Sequence, residues 1–252
     1  MKRVYLCDGV PDSAVDVPVK LKADASHYLV RVLRVARGEF VALFGPTGEP
    51  RVAQLEESDP RGVWVRLISA AVPGQIVDAP FPVTLLQAVL RSRKLENVLQ
   101  KATELGVAAV WPIVTERCVV LPQNERIEHQ VARWQRICGE AVRQCLRRQV
   151  PLVRAPMSLG VALEQLPSKD GYLKLVLWEN ERGRTLRQTL ENTFPEQCAV
   201  LVGPEGGLSA HEVDKCVDVG FVPVSLGPRI VRAETAPLVA LSAIQLAWGD
   251  MR

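Results

Sequence analysis

No run of about 18 uncharged apolar residues occurs in this chain, so no membrane-spanning helix is expected. The opening MKRVYLCDGV reaches aspartate and glycine too soon for the apolar region of a signal peptide, and cytoplasm is the expected location. Cysteine is sparse. The six, at 7, 118, 138, 145, 198 and 216, form no C-x-x-C, and His27, His129 and His211 do not cluster with them. A zinc site needs closely spaced soft ligands, so no metal is expected and the cysteines read as buried, reduced thiols. The familiar nucleotide cradles are missing too. No glycine is followed by lysine, which excludes G-x-x-x-x-G-K, and Gly203, Gly206 and Gly207 have the wrong spacing for G-x-G-x-x-G. G-x-S-x-G and H-E-x-x-H are also absent.

What is present is an ordinary globular composition over 252 residues, 48% apolar and 23% charged, with a net charge of +3. Residues 1 to about 72 read as a β-rich unit. FVALFGPTGEPRVAQLEES looks like a hairpin turning at Gly45, Pro46 and Gly48, and GVWVRLIS alternates as a further strand. Between them in character is DASHYLVRVLRVARGE (24–39), expected as a short helix ending near Gly38. Arg31, Arg34 and Arg37 recur every third residue along it, which is either a solvated face or a phosphate-binding ridge. Residues 70–82, rich in proline, look like a linker.

After the linker the rhythm becomes strand, helix, strand. VTLLQAVL, VAAVWPIV, YLKLVLWEN, CAVLVGPE and FVPVSLGPR are near-continuous apolar strands, which suggests an α/β fold with a parallel sheet covered on both faces. KLENVLQKATELG is an amphipathic helix stopped by Gly106. Residues 125–149 form the longest helical pattern, with Ile127, Val131, Trp134, Cys138, Ala141 and Cys145 on its inner stripe. Arg126, Arg133, Arg136, Arg143, Arg147 and Arg148 stand against Glu128 and Glu140, which suits either solvent or nucleic acid. LSAHEVDKCVDVG carries a Ser209/Glu212 capping box, an inner stripe of Val213, Cys216 and Val217, and a stop at Gly220.

Two of the strands, LVGPEGGLS and VSLGPRIVRAETA, break on Gly-Pro. In an open parallel sheet, ligands bind outside the carboxyl ends of strands, and glycine lets backbone approach a ligand without a Cβ in the way. On spacing alone, two tight turns without a ligand remain the alternative reading.

LVGPEGGLSAHE and LGPRIVRAETAPLVALSAIQ, with QKATELGV, ERC (116–118) and HYLVRVLRVARGE, closely resemble the ribosomal RNA small subunit methyltransferase E family, of the SPOUT superfamily. The resemblance runs in order along nearly the whole chain. G-P-E-G-G is shared with other SPOUT enzymes; L-G-P-R-I-x-R-x-E-T-A is far more specific. It implies an N-terminal PUA-like RNA-binding β-barrel over 1–72 and a SPOUT methyltransferase domain over 73–252 with a deep trefoil knot at about 198–240. It implies methyl transfer from S-adenosylmethionine to N3 of one uridine of 16S rRNA, uridine 1498, within the 30S subunit. It implies a homodimer as well, with no membrane and no metal involved.

Matched onto this chain, the cofactor would be held by three loops: Leu177, Trp178 and Glu179; Val202, Gly203, Pro204, Glu205, Gly206 and Gly207; and Leu226, Gly227, Ile230, Val231 and Arg232. RNA contacts are expected at Arg31, Arg34, Arg37, Arg91, Arg143, Arg147 and Arg229. The chain departs from the family where Pro-Lys-Gly-Asp usually stands, with Leu90, Arg91, Ser92 and Arg93 there instead. It departs again at the end of the long helix, with Arg143 for an acid and Leu146 for glycine. Methylating uridine N3 requires loss of its proton, so a base or charge-stabilising cations are needed. Arg232 is the candidate for holding the uracil edge or a phosphate. Glu234 is either the base, an orienter of an arginine, or a helix-start residue before Thr235 and Pro237. The last helix, PLVALSAIQLAWGD, is apolar round most of its circumference and is expected to be buried, in the chain's own core or against a second subunit. A non-catalytic RNA-binding module would leave both Gly-Pro motifs without a task. An enzyme of another nucleotide would leave the arginines without one.

Overall fold

The five apolar runs read as strands lie side by side in one parallel sheet. The computed structural model describes residues 1–12, 15–45, 50–57, 59, 61–69, 78–91, 93–119 and 126–251. The tip of the first hairpin (46–49), the linker's 70–77, Ser92 and the first residue of the long helix pattern (125) lie outside them. The chain divides into two compact units, one of Met1–Asp78 with Gly139–Val150, the other of Ala79–Cys138 with Pro151–Arg252.

The first unit holds strands β1 (Lys2–Tyr5), β2 (Pro18–Lys20), β3 (Phe40–Phe44), β4 (Arg51–Glu57) and β5 (Trp64–Ser69) in the order β1-β3-β4-β5-β2. The expected hairpin is the antiparallel β3–β4 pair. No pairing between β1 and β2 closes this sheet into a barrel among the described residues. Alternating residues Val41, Leu43, Ala53, Leu55, Val65 and Leu67 point into one core.

The helix expected over 24–39 is a correction. Helix α1 (Ala23–His27) passes into a π-helical turn at Tyr28–Val32 and stops, and Arg34 takes a left-handed φ of 49°. The wide turn, with the Leu33 amide bonded to the Tyr28 carbonyl at 2.9 Å, lets both Leu29 and Val35 reach the core. Arg31, Arg34 and Arg37 are therefore exposed but do not share one helical side.

The second unit's sheet is parallel throughout, in the order β12-β10-β11-β6-β7-β8, with β9 also on β7. Its strands are β6 (Val83–Ala88), β7 (Ala109–Val114), β8 (Leu152–Val153), β9 (Met157–Ser158), β10 (Tyr172–Leu177), β11 (Gln197–Val202) and β12 (Phe221–Val224). Helices α4 (Leu159–Glu164) and α6 (Ala210–Asp218) bury Leu159, Ala162, Leu163, Val213 and Cys216 among Leu86, Ile113, Val176 and Leu201. Helix α7 (Ala236–Trp248) packs on β6 and β11 and against α2 (Lys94–Glu104) and α5 (Leu186–Glu191). Burial on both faces is why these strands read as continuous apolar runs.

Helix α2 buries Leu95, Val98, Leu99 and Ala102. It ends as expected at Gly106, whose φ of 86° allows paired end bonds from Gly106 to Thr103 and from Val107 to Ala102. The capping box of α6 is formed by Ser209 and Glu212, but Val217 is exposed rather than on the inner stripe. The longest helix, α3, runs Ile127–Cys145, because Leu146 at φ 64° ends it before 149. The last helix is covered in part by its own chain. Ala240, Leu241 and Ile244 are buried, whereas Val239 is 41% and Leu246 61% exposed.

β12 is an edge strand. Ser225, just past its end, donates its amide to the Arg184 carbonyl and accepts the Leu186 amide. Pro223, two residues earlier, therefore turns its nitrogen to that same outer side. No helix among the described residues is long and apolar enough to cross a membrane. Cys138, Cys198 and Cys216 are buried as expected, with the Cys216 thiol pushed up to about 12 by burial first and the Glu212 carboxylate second; Cys7 is exposed.

Candidate active site

Three parallel strands end level with one another. Leu177, the last residue of β10, pairs with Val202 at the end of β11 and with Val224 at the end of β12. The loops that leave these ends converge round a cavity of about 850 Å³. Leu177, Trp178, Glu179, every residue from Val202 to Gly207, and Leu226, Gly227, Ile230, Val231 and Arg232 all line it, together with Arg229 and Glu234. The structure thus gathers every residue that the sequence matched to the cofactor loops.

Side chains are excluded from the first Gly-Pro turn by its neighbours. Gly207 has φ 70°, and a Cβ there would strike the Glu179 carboxylate. A Cβ on Gly206 would sit 3.1 Å from that of Arg117. The turn is held by the Gly207 amide on the Pro204 carbonyl at 2.9 Å and by the Arg117 guanidinium on the Gly206 carbonyl at 3.0 Å. Below it, the buried Glu212 carboxylate accepts the Ser209 amide at 3.0 Å and the Glu116 amide at 2.8 Å, fixing the ERC segment to the start of α6.

The second Gly-Pro loop is different. From Leu226 to Glu234 no amide is given to a described main-chain carbonyl, and bonding resumes only where Thr235 and Ala236 donate to the Arg232 carbonyl at 2.8 and 3.0 Å. A run of unspent donors beside a cavity is a ready ligand surface. The indole Nε1 of Trp178 is also buried without a hydrogen-bond partner.

Charge concentrates on one wall. Lys94 Nζ lies 3.3 Å from Glu205 Oε1 and 3.2 Å from Glu234 Oε2. Desolvation pushes the Glu205 carboxyl up, but its own amide, the Arg91 amide at 3.1 Å and Lys94 outweigh this and hold it below its ordinary value. Glu234 Oε1 is 3.9 Å from Arg232, whose side chain is 82% exposed. The Lys94 contact on Glu234 Oε2 lacks hydrogen-bond alignment, leaving that buried oxygen paired by charge alone.

Sequence reading missed Lys94, Arg117 and Arg182, the last of which lines the cavity and donates to the Glu179 carbonyl at 2.8 Å. Lys94 opens an ordinary amphipathic helix, and nothing local marks it. Arg117 stood inside the quoted ERC motif, the one available signal.

Of the arginines expected at RNA, Arg91 and Arg229 are exposed; the Arg91 amide bonds the wall residue Glu205, and Arg229 lines the cavity. In the first unit Arg143 stacks over the Tyr28 ring at 4.3 Å. Arg147 is buried beside Asp78, 3.7 Å away, and its carbonyl accepts a bond from Arg3. Among the described residues no group of three or more His, Cys, Asp or Glu is placed to hold a metal ion.

The pattern of the RNA methyltransferase domain family matches residues 77–245. The chain is 34% identical to the ribosomal RNA small subunit methyltransferase E of Synechocystis, over 93% of this chain and 75% of that one. It is 30% identical to that of Bacillus subtilis, over 89% of this chain and 90% of that one. Among solved structures it is similar to a methyltransferase of Legionella pneumophila in complex with S-adenosylmethionine (TM-score 0.86, 33% identity, 99% of this chain and 98% of that one). It is also similar to the ribosomal RNA small subunit methyltransferase E of Neisseria gonorrhoeae bound to S-adenosyl methionine (TM-score 0.85, 31% identity, all of both chains).

Proposed function

We propose a function from one premise: the chain belongs to the ribosomal RNA small subunit methyltransferase E family. It is a methyltransferase of small-subunit ribosomal RNA, and S-adenosylmethionine is its cofactor. Its target in our reading is N3 of one uridine of 16S rRNA, uridine 1498, in the cytoplasm. The observation that carries the reading is the convergence of three level strand ends on one cavity with a bare turn on one side and unspent amides on another.

The residues present fit that cofactor. The Gly206–Gly207 backbone admits a close neighbour, the amides of the Leu226–Val231 segment and the orphaned Trp178 indole offer donors, and the carboxylates of Glu179, Glu205 and Glu234 suit a cationic centre. When bound, the cofactor supplies a methyl group already activated by its sulfonium. The chain's own task is alignment and charge. Loss of the N3 proton to solvent would leave negative charge on the uracil, and Arg232 stabilises that charge until N3 takes the methyl group. Glu234, with one oxygen toward Arg232 and the other toward Lys94, orients that arginine. Arg31, Arg34, Arg37, Arg91, Arg143 and Arg229 supply RNA contacts, while Arg147 serves the core of its own unit.

Two further features belong to this reading: the N-terminal unit is a PUA-like RNA-binding domain, and the segment at about 198–240 is knotted. The knot is supported by the 178–186 segment, which bonds to both sides of the same strand end. The Trp178 amide reaches the Val224 carbonyl, and Arg184 and Leu186 reach Ser225. Mechanical stretching would detect it as a fully extended length shorter than roughly 3.3–3.6 Å per residue.

Calorimetry with S-adenosylhomocysteine, ATP and NAD should show binding of the first only. Mapping of 3-methyluridine in rRNA from cells with and without the chain tests the target. Arg232→Ala should reduce methyl transfer to small subunits by about a hundredfold, the order lost with one charge-stabilising donor, while cofactor affinity changes far less. Full turnover with both affinities intact would remove Arg232 from the mechanism.

A further inference from the structure

We infer that Lys94 is a positioning residue: its ammonium ties the two Gly-Pro loops together at the cavity wall and sets the shape that receives the adenosyl ligand. Glu205 belongs to the turn after β11, Glu234 to the loop after β12, and Lys94 to the first turn of α2, so one side chain joins three segments. The contacts are largely shielded. Side-chain exposure is 34% for Lys94, 24% for Glu205 and 23% for Glu234.

The first loop has other anchors, in the Arg117 bond to Gly206 and the Arg91 amide on Glu205. The second has few, since its amides from Leu226 to Glu234 make no described main-chain bond and Arg232 reaches Glu234 only at 3.9 Å. Before ligand binds, Lys94 is thus the chief polar tether of that loop. Without it, two carboxylates would share the wall, and their repulsion would part the loops. The inference rests on the reading of the cavity as the adenosyl pocket, but the tether itself can be measured without any ligand.

The loop exposes Arg229 and Arg232 to trypsin. In ligand-free, full-length protein, Lys94→Met should speed cleavage after these two residues about tenfold and weaken S-adenosylhomocysteine binding about tenfold, between the small worth of an exposed pair and the large cost of stranding a buried charge. Lys94→Arg should return both values toward wild type. If Lys94→Met folds poorly, Glu234→Gln releases the same tether from the other end and should speed the same two cuts. Unchanged cleavage and unchanged affinity in a folded Lys94→Met protein would overturn the inference. Failure of the wild-type protein to bind S-adenosylhomocysteine would instead remove the adenosyl reading, leaving the cleavage rates to decide the tether.

Discussion

Single residues at the cavity carry opposed demands of space and charge. At Gly207 the backbone is left-handed and the Glu179 carboxylate occupies the place of a side chain. Gly207→Ala should cost about 1–2 kcal/mol for the backbone alone, and displacement of Glu179 should abolish detectable S-adenosylhomocysteine binding; chemical denaturation and calorimetry measure the two separately. Glu205 offers a test through protons. Its folded-state carboxyl lies below its unfolded value, so it stabilises the fold fully above about pH 4.3 and loses that contribution as pH falls through the folded value. Glu205→Gln should therefore lower stability by about 1 kcal/mol at neutral pH, with the gap to wild type closing in acid. A gap that stayed constant in urea titrations from pH 7 to about pH 3 would contradict the ion pair. Lys94, the partner of Glu205, was invisible in the sequence. An ion pair between residues so distant along the chain has no local pattern, whereas Gly203 to Gly207 announced themselves because so few residue types allow such a turn.

At the scale of elements, the parts of the fold with strong local rules were legible. The Ser209 capping box, the Gly106 stop and the apolar strands follow directly from backbone bonding and two-sided burial. Helix α5 escaped notice although Thr185-Leu-Arg-Gln188 is a capping box of the same kind, because the six-residue helix behind it has too few turns to display a period. The π-helical turn at Tyr28–Val32 had no sequence mark at all, since it is imposed by Leu29 and Val35 both seeking one core. Leu146 is the reverse case, a residue whose local preference disagrees with its place. It ends α3 with φ 64° where the family usually carries glycine, and its side chain is 54% exposed. Leu146→Gly removes that conflict and few contacts, and it should stabilise the protein by about 1 kcal/mol, or roughly 2–4 °C in the thermal midpoint. A lower midpoint would show that the leucine contributes packing that its exposure conceals.

For the whole molecule, our reading adds a second copy of the chain and a threaded path. Periodicity has no bearing on the knot we propose, because a knot is a property of paths and not of residues. The last helix leaves Val239 and Leu246 uncovered in a single chain, on an element of largely apolar character. A second copy of the chain is the cover we propose, and light scattering at micromolar protein should give twice the chain's mass. Replacing Leu246 with aspartate should shift that mass toward the single chain, because a charge in an apolar contact is left without a partner. Strand addition is a far poorer route to assembly, and Pro223 is the reason. On the outer margin of β12 the proline has no proton to offer, and the next outward-facing position, Ser225, is already engaged with Arg184 and Leu186. A stray chain sliding alongside would find that border closed to it, so the protein resists open-ended stacking into fibrils there while its terminal helix stays available for a finite, two-membered complex.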